Sequence, residues 1–403
     1  MVRKFMDRCI NSEKKKIAFF FNSFARGGAE RVVSRLFLPL GEFYDVFLIL
    51  IDGSRIQYEC PVKIIKMGGA ERRNRFWYLI DQIKAKNKLE SIVKEYKIEC
   101  IISFLDVPNL INLLSKTECK KIVSVRCEEL NRINDKIKGY MCKKAFHKAD
   151  AVISVSNALQ RSIVDQWYIR KDKVVTIENP YNIMEIRSQA ERKMSAAEDD
   201  FYRGHRVIVA LGRMEKQKGY TYLLDSFHHL LSLRKDAGLV IVGDGGERKK
   251  LEAKIRQMKM DKAVLLCGMK ENPFPYIRNA QVFVLSSIAE GFPNALVEAM
   301  CLRVPVVACD CRTGPREILC RETDINMDKC AEEIEMADYG ILVPDFTPRN
   351  HLNMSKKKIL LANAINILLS NDELRKEYGN RASERAARYT FGRCIEKYKE
   401  VIG

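Results

Sequence analysis

Residues 282–298 read VFVLSSIAEGFPNALVE, a short apolar run followed at once by a loop and a second apolar pattern. Val282–Ser287 predicts a buried strand, because consecutive large apolar residues suit a strand that is covered on both faces. Pro293 is predicted to be the first residue of a helix, since proline is favoured at that position. A buried strand that leads directly into a helix indicates a parallel α/β sheet.

The same alternation of strand-length apolar runs and amphipathic helical patterns continues through the whole chain. In the first half, strands are predicted to begin at Lys16, Tyr44, Val62, Cys100, Lys121, Ala151 and Lys173. Helices are predicted between them at Ala29–Leu38, Phe76–Tyr96, Tyr140–Lys148 and Asn157–Gln166. In the second half, strands are predicted at residues 206–211, 238–242, 263–267, 281–285 and 304–308. The predicted fold class is α/β, with two Rossmann-like, doubly wound parallel-sheet domains facing each other across a cleft.

A chain of 403 residues is too long for one ordinary core and fits two domains of about 200 residues each. The first domain is predicted at residues 1–183 and the second at residues 206–380. Residues 184–205 are polar without a strand pattern, which indicates an interdomain linker. Residues 320–338 interrupt the second sheet with an acidic, weakly periodic stretch that predicts an inserted loop or short helix, and residues 381–403 predict a charged C-terminal helix.

Composition places the chain among globular proteins, with 47% hydrophobic and 30% charged residues. We expect a cytoplasmic location, because residues 1–16 lack the apolar core and cleavage site of a secretory signal. The 13 cysteines are expected to be reduced, since their number is odd and the chain is large. Cys309 and Cys311 lack a second pair at metal-ligand spacing, so no metal site is expected there.

The positive charge is concentrated in the first half of the sequence. Of the formal net charge of +18, residues 1–183 carry +13, from 34 Lys and Arg against 21 Asp and Glu. Such a balance favours an anionic partner, which could be nucleic acid, an acidic membrane surface or a phosphorylated acceptor. A merely solubilising surface explains the charge equally well.

Open α/β sheets bind ligands at the carboxyl ends of their strands, so the loops after the predicted strands carry the candidate site. The first such loop contains Gly27-Gly28 just before a helix, where a backbone without side chains can approach a phosphate. A glycine turn that only starts a helix is the simpler interpretation of this loop. A later loop places Arg213 and Lys218 five residues apart, and two such cations can neutralise a diphosphate, although each alone would be an ordinary surface charge.

The loop quoted above carries two carboxylates, Glu290 before the predicted helix and Glu298 about 7.5 Å along it. The free amide groups of the first helical turn lie between them and suit phosphate oxygens. One carboxylate could therefore bind hydroxyls on one side of a diphosphate, and the other carboxylate could bind hydroxyls on the far side. This arrangement matches the shape of a nucleotide sugar. Glu298 by itself would be an ordinary helix-surface residue.

These motifs together resemble the large retaining glycosyltransferase family of GT-B fold that is usually called family 4. The resemblance covers nearly the whole chain, and each motif is weak alone but specific in this order. Its residues are Gly27-Gly28-Ala29-Glu30, Gly212-Arg213 with Lys218-Gly219, 241–245, the pair Glu290 and Glu298, Glu317 after Gly314-Pro315, and 339–344.

The resemblance implies a residue-by-residue assignment of the site. Catalytic roles fall to Glu290, Arg213 and Lys218. The two cations and Gly28 would hold the diphosphate, while Glu290 with the backbone of Gly291 and Phe292 would hold the donor sugar. The remaining donor-binding residues are Glu298 for the ribose, Ala295 and Leu296 in the same segment, and Met269 near the base. The family's acceptor-side histidine has no counterpart, since Arg126-Cys127-Glu128-Glu129 stands in the corresponding place.

The resemblance also implies an anomer-retaining transfer without a required metal, with the nucleotide sugar as substrate and no cofactor. In agreement, no Asp-x-Asp motif for a cation is present. The first domain would then be the acceptor side, and the last helix would return to pack on it. The segment 314–319 looks like members that make bacterial surface polysaccharides and lipid-linked oligosaccharides, with UDP-galactose or UDP-N-acetylgalactosamine as the suggested donor.

A basic, aromatic stretch bears on the acceptor. Arg72, Arg73 and Arg75 precede Phe76-Trp77-Tyr78, and lysines follow at 84, 86 and 88. This mixture suits docking at an anionic bilayer, which indicates a lipid-diphosphate-linked glycan acceptor and a peripheral position at the inner face of the membrane. Aromatic residues in the core with lysines on a wet helix face explain the pattern nearly as well.

Two other functions compete with a glycosyltransferase. An NAD(P)-dependent oxidoreductase would use Gly27-Gly28 or the glycines at 243–246, but neither is a full dinucleotide fingerprint. Nucleic-acid binding by the basic first half lacks a recognised module and a stacking motif, so no nucleic-acid partner is expected.

Overall fold

The computed structural model describes residues 14–25, 27–68, 75–127, 143–321, 330–348 and 351–403, with the backbone alone for residues 75–82. The chain divides into two compact units. The first unit consists of residues 1–155, 163–177 and 392–403. The second unit consists of residues 156–162 and 178–391.

A seven-stranded sheet of order β3-β2-β1-β4-β5-β6-β7 forms the centre of the first unit, and every neighbouring pair is parallel. Its strands are β1 Lys16–Phe21, β2 Asp45–Leu50, β3 Lys63–Lys66, β4 Cys100–Phe104, β5 Lys120–Val125, β6 Ala151–Ser154 and β7 Val174–Thr176. Strand order reverses between β1 and β4, which is the doubly wound pattern.

The second unit repeats this plan with a sheet of order β10-β9-β8-β11-β12-β14-β13. Its strands are β8 Arg206–Leu211, β9 Ala237–Val242, β10 Val264–Gly268, β11 Val282–Leu285, β12 Val306–Cys309, β13 Glu335–Ala337 and β14 Gly340–Val343. The prediction of two doubly wound α/β domains is confirmed. One strand departs from it, because β13 runs antiparallel to β14 at the edge of the sheet, within a stretch that was expected to be a loop or short helix.

Helices connect the strands within both units. In chain order they are α1 Gly28–Gly41, α2 Arg75–Tyr96, α3 Asp106–Leu114, α4 Asn157–Trp167, α5 Ile183–Gln189, α6 Ala196–Gly204, α7 Tyr220–Leu233, α8 Arg248–Gln257, α9 Phe274–Arg278, α10 Asn294–Cys301, α11 Pro315–Leu319, α12 Met354–Ser370, α13 Asp372–Ala386 and α14 Phe391–Ile402. The helix predicted at 140–148 begins outside the described residues.

The structure corrects the interpretation of residues 184–205 as a linker. This stretch forms most of α5 and the whole of α6, and it belongs to the second unit. Helix α6 begins with a capping box, in which Ser195 and the side chain of Glu198 satisfy each other's backbone amide groups. The polar composition that was interpreted as a linker belongs to two surface helices, because helices that expose most of their surface need few apolar residues.

The end of the chain also differs from the predicted boundary at residue 381. Helix α13 lies wholly in the second unit, and the chain passes to the first unit after Phe391. In the first unit, Tyr398 of α14 is fully buried, and its ring lies 6.4 Å from that of Phe19 on β1. Burying a side chain of this size stabilises a fold by about 1.5–3 kcal/mol, so α14 is part of the core of the first unit.

Candidate functional site

Strands β8 and β11 are the two neighbours at which strand order reverses in the second unit. Their carboxyl ends lie side by side, because β8 and β11 are parallel and Phe283 is paired with Val209. Loops that leave such a pair in opposite directions open a crevice where ligands bind. The loop after β8 carries Arg213 and Lys218, and the loop after β11 carries Glu290.

Backbone and side-chain hydrogen bonds join these two loops. Ser286 donates its hydroxyl to the Lys218 carbonyl at 2.8 Å, and Gln217 donates its amide to the Ala289 carbonyl at 2.7 Å. The Ile288 N–H donates to the Gln217 carbonyl at 2.9 Å. Since each contact crosses from one loop to the other, the backbone around Lys218 is held in a fixed position against the second loop.

Lys218 and Glu290 form an ion pair across these loops, with Lys218 Nζ 2.7 Å from Glu290 Oε1. The Lys218 side chain is 23% exposed and that of Glu290 only 8% exposed. A charge-assisted hydrogen bond between partly buried groups is strong and directional. The pair therefore presents one cation and one carboxylate together at the carboxyl end of the sheet.

Gly219 fixes the turn that carries Lys218. Its φ is +67°, and a Cβ added there would lie 2.0 Å from the Ser286 carbonyl oxygen. A side chain would thus meet both an unfavourable backbone conformation and a rigid backbone atom.

We expect Gly219→Ala to lower the free energy of unfolding of this protein by about 2–4 kcal/mol, since both penalties act at one position. Denaturant unfolding followed by circular dichroism measures the change. Gly246→Ala is the matched control, because a Cβ there has no atom within 4 Å. Equal stability of the two variants would contradict this account of the turn.

Arg213, which was predicted to bind the diphosphate together with Lys218, is not the ion-pair partner of Glu290. Its side chain is 65% exposed and pairs with Glu215 of the same loop at 3.1 Å. The structure thus places Arg213 in the loop of Lys218, but the ion pair with Glu290 is made by the lysine. Gly28, the other residue assigned to the diphosphate, is the exposed first residue of α1 in the first unit.

Helix α10 begins at Asn294, with Pro293 as its N-cap and not as its first residue. The fixed φ of proline fits both positions, and only the extended ψ of 97° at Pro293 shows that it lies outside the helix. Asn294 accepts hydrogen bonds from the Asn179 amide at 2.7 Å and from the Tyr181 hydroxyl at 2.6 Å. These contacts fix the first turn of α10 from the side.

The remaining residues of the quoted stretch are mostly inside the unit. Gly291 and Leu296 are buried, and Ala295 is half-buried. The Phe292 ring packs edge-on against the Tyr389 ring, with centroids 5.2 Å apart. Glu298 has no exposed surface, so the structure places it in the interior and not on an open helix face. Its role towards a ribose stays a prediction.

Sequence reasoning missed two buried hydroxyls, one at the start of α7 and one in the loop after β11. The hydroxyls of Tyr220 and Ser287 are inaccessible to solvent, and neither has a hydrogen-bond partner within the described part of the chain. A Cβ added at Gly212 would lie 3.1 Å from Tyr220 Oη and 3.2 Å from Lys218 Cε, so that hydroxyl and the lysine side chain both lie against Gly212. Burial and, second, the Glu290 charge raise the pKa of Tyr220, which keeps it a neutral donor.

Met269, the residue predicted to lie near the base, follows the carboxyl end of β10, beside β9. Gly243 and Gly245 allow close approach to the loop after β8, because a Cβ on Gly243 would lie 2.0 Å from the Gly212 carbonyl oxygen. Met269, which follows β10, is 50% exposed. The next residue, Lys270, pairs with Glu198 of α6 at 2.7 Å. Helix α6 thus supports the loop that carries Met269.

The contribution of the Lys270–Glu198 ion pair to stability depends on pH, because Glu198 titrates. Burial disfavours its charge, but hydrogen bonds from Lys270, Ser195 and Tyr276 outweigh that effect and lower the pKa of Glu198 from 4.5 to about 2. A depressed pKa in the folded state stabilises the protein above the unfolded pKa, and this stabilisation is lost as the pH falls from 4.5 towards 2.

We therefore expect Glu198→Gln to lower the free energy of unfolding at pH 7 by about 3 kcal/mol, and the difference from wild type to vanish towards pH 2. Urea unfolding between pH 2 and pH 7 measures this. Asp199→Asn removes a neighbouring, exposed carboxylate of α6 and should have a small effect at every pH. A pH-independent effect of Glu198→Gln would show that the charge is not responsible.

The basic, aromatic stretch that was predicted to dock at a membrane is described only in part. Arg72 and Arg73 lie outside the described residues, as do the side chains of residues 75–78. Of the lysines that follow, Lys84 and Lys88 are exposed, while Leu89 of the same helix is buried.

Helices in the described ranges all fall short of the length and apolarity needed to cross a membrane. Within those ranges there is also no group of three or more His, Cys, Asp or Glu side chains placed to hold a metal ion.

Comparison with protein families relates this site to known sequences. The model of the family described as glycosyl transferases group 1 matches residues 205–342, which include both loops of the ion pair. An uncharacterized glycosyltransferase of Methanocaldococcus jannaschii, MJ1059, is 29% identical over 339 residues, covering 79% of this chain and 83% of the relative.

A second relative has a named activity. The N-acetylgalactosamine-N,N'-diacetylbacillosaminyl-diphospho-undecaprenol 4-alpha-N-acetylgalactosaminyltransferase of Campylobacter jejuni is 25% identical over 383 residues, covering 92% of this chain and 95% of the relative. Among solved structures, Anabaena Alr3699/HepE in complex with UDP-glucose has a TM-score of 0.75 at 17% identity, covering 96% of this chain and 99% of that one. The structural likeness confirms the GT-B fold.

Proposed function

Since this chain is a glycosyltransferase of the GT-B fold, we propose that it moves a hexose or N-acetylhexosamine from a UDP-sugar to a lipid-diphosphate-linked glycan, with retention of anomeric configuration. The observation that carries the proposal is the Lys218–Glu290 pair at the reversal point of the second sheet. A cation there suits a diphosphate, and a carboxylate beside it suits sugar hydroxyls.

In the proposed reaction, the bond between the sugar C1 and the β-phosphate oxygen breaks while an acceptor hydroxyl forms the new bond to C1. The acceptor's proton passes to the departing phosphate, so UDP leaves and atoms and charges balance. Lys218 stabilises the negative charge that grows on the leaving diphosphate, and Arg213 adds a second cation from the same loop. Fixed positive charge in a partly buried site is an effective source of rate acceleration.

Glu290 would orient the donor sugar by accepting hydrogen bonds from its hydroxyls. Its position is well suited to that task, because Thr313 donates its hydroxyl to the Glu290 carbonyl and Lys218 holds the carboxylate. The buried hydroxyl of Tyr220 supplies a neutral donor against Gly212, where the lysine side chain also lies. We propose that these groups act without a metal ion, which the two cations of the loop would replace.

The acceptor class is inferred from the relatives. The Campylobacter jejuni enzyme is named for a diphospho-undecaprenol acceptor and an N-acetylgalactosamine donor residue, and the alignment with it covers nearly the full length of both chains. We propose the same acceptor class and a galactose-type or N-acetylgalactosamine-type donor for this protein. The role is synthesis of a surface polysaccharide or another lipid-linked glycan.

The expected result of a donor screen is transfer from a UDP-sugar to a lipid-linked acceptor, at an unchanged rate when EDTA is added. Purified protein is incubated with UDP-galactose, UDP-N-acetylgalactosamine and UDP-glucose, and the anomeric configuration of the product is read by NMR. UDP should also raise the melting temperature, whereas NAD(P) should not. Stabilisation by NAD(P) alone would overturn the proposed function, and loss of turnover with EDTA would overturn its metal-independent form.

A further inference from the structure

A cavity of about 340 Å³ lies in the second unit, lined by Arg187, Glu191, Arg278, Leu302 and Arg303. Helix α9 ends at Arg278 just before β11, and α10 ends just before β12. Both ends therefore lie at the amino ends of the strands, whereas the ion pair of the candidate site lies at the carboxyl ends. This arginine pocket is separate from that site, and α10, about 12 Å long, spans the sheet between them.

Three guanidinium groups and one carboxylate give the arginine pocket a formal charge of about +2. Arg187 is anchored, because it donates from Nε to the Cys301 carbonyl at 3.0 Å and from Nη2 to the Ser383 hydroxyl at 2.8 Å. Arg278 pairs with Glu191 at 3.3 Å, with side chains 47% and 70% exposed. Such an exposed pair is weak, so Arg278 can exchange its partner for a stronger anion.

Arg303 is the unusual member of the pocket. It has φ of +60°, a conformation that favours glycine, at the end of α10 where glycine is the common residue. Its backbone is held there, since a Cβ added at Gly379 would lie 2.2 Å from the Arg303 carbonyl oxygen. The exposed guanidinium has no ion pair or hydrogen bond with any residue that the structure describes. Arg303 therefore adopts an unfavourable backbone conformation, and its unpaired guanidinium lines the cavity.

We propose that the arginine pocket binds a phosphate-bearing anion. Guanidinium groups recognise phosphate oxygens through paired N–H donors, and here they converge from three separate helix ends. The cavity is large enough for a diphosphate or for a phosphorylated headgroup. A soluble diphosphate and a lipid headgroup would present the same phosphate oxygens to the pocket. The test therefore has two arms, one with a soluble anion and one with lipid vesicles.

The first arm is titration calorimetry of the full chain with inorganic pyrophosphate. The protein carries Lys218→Ala throughout, so that diphosphate binding at the candidate donor site is weakened equally in every protein that is compared. Arg303→Gly is then compared with Lys259→Gly, which also removes one exposed cation from a position of positive φ, at the end of α8 and outside the pocket. Both replacements relieve the backbone, so both variants should fold.

The second arm is flotation of the same proteins with vesicles of phosphatidylglycerol, and with phosphatidylcholine as the neutral reference. Arg303→Gly is expected to weaken either pyrophosphate binding or phosphatidylglycerol binding at least tenfold, while Lys259→Gly leaves both within about twofold of the parent. The arm that responds identifies the source of the phosphate. If neither arm distinguishes the two variants, or if the parent binds neither probe, the proposal is wrong.

The outcome is independent of the donor site. A protein that transfers no sugar could still show the difference between Arg303→Gly and Lys259→Gly. Conversely, an active transferase in which both variants bind these probes equally would refute the arginine pocket alone.

Discussion

Replacement of Lys218 by alanine is expected to reduce the rate of sugar transfer by about 10²- to 10³-fold, because it removes the cation that we propose for the leaving diphosphate. The affinity for UDP should fall as well, since the proposed contact would already be made before the reaction. Calorimetric titration with UDP and steady-state kinetics with a UDP-sugar measure the two effects. The fold should persist, because Ser286 and Ile288 contact the backbone of Lys218 and Gln217, which the substitution leaves in place.

Stability must be followed in the same variant. Loss of Lys218 leaves the Glu290 carboxylate nearly buried without its cation, which should lower the free energy of unfolding by about 1–3 kcal/mol. Lys216→Ala is the matched control, because Lys216 is an exposed lysine of the same short turn. If the Lys216 and Lys218 variants lose activity and UDP affinity equally, net charge and not the position of Lys218 is responsible.

Replacement of Glu290 by glutamine should separate donor orientation from diphosphate binding. Transfer is expected to fall by at least about 100-fold, because a neutral amide accepts weaker hydrogen bonds from sugar hydroxyls. UDP should bind as well as before or more tightly, since Lys218 loses its competing partner at 2.7 Å. The opposite changes in rate and affinity distinguish this variant from Lys218→Ala.

The control for Glu290→Gln is Glu215→Gln. Glu215 pairs with Arg213 at 3.1 Å in the same loop, but its side chain is 46% exposed. Its neutralisation should therefore leave the transfer rate within about twofold of wild type, as exposed ion pairs contribute little. Full activity of Glu290→Gln, or weaker UDP binding in that variant, would contradict the proposed division of roles.

The two variants also test whether the ion pair is a resting arrangement of the site. In the structure, Lys218 and Glu290 satisfy each other. Under the roles that we propose, both side chains would turn towards the donor when it binds. The loops themselves need not move, because their backbones are joined through Ser286 and Gln217. A site of this kind exchanges an internal ion pair for contacts to the substrate without rebuilding its main chain.

Local sequence patterns were sufficient for the two parallel sheets and for the positions of the site loops, but not for helices α5 and α6 or for the antiparallel strand β13. Strands such as Lys16–Phe21 and Arg206–Leu211 are continuous apolar runs. Such a run by itself predicts a strand that is buried on both faces. The order of strands and helices then requires parallel sheets. That order places Lys218 and Glu290 at strand ends, which is why both could be chosen as site residues from the sequence.

The tertiary structure alone decided which side chains meet. Lys218 and Glu290 are 72 residues apart, and no local pattern distinguishes the lysine from Arg213 as the partner of that carboxylate. Burial of Glu298 depends on the elements that pack over α10, and the arginine pocket depends on three helix ends from distant parts of the chain. The physical reason is that periodicity reports how one segment meets its surroundings, whereas a pairing is set by contacts between segments that the chain brings together only on folding.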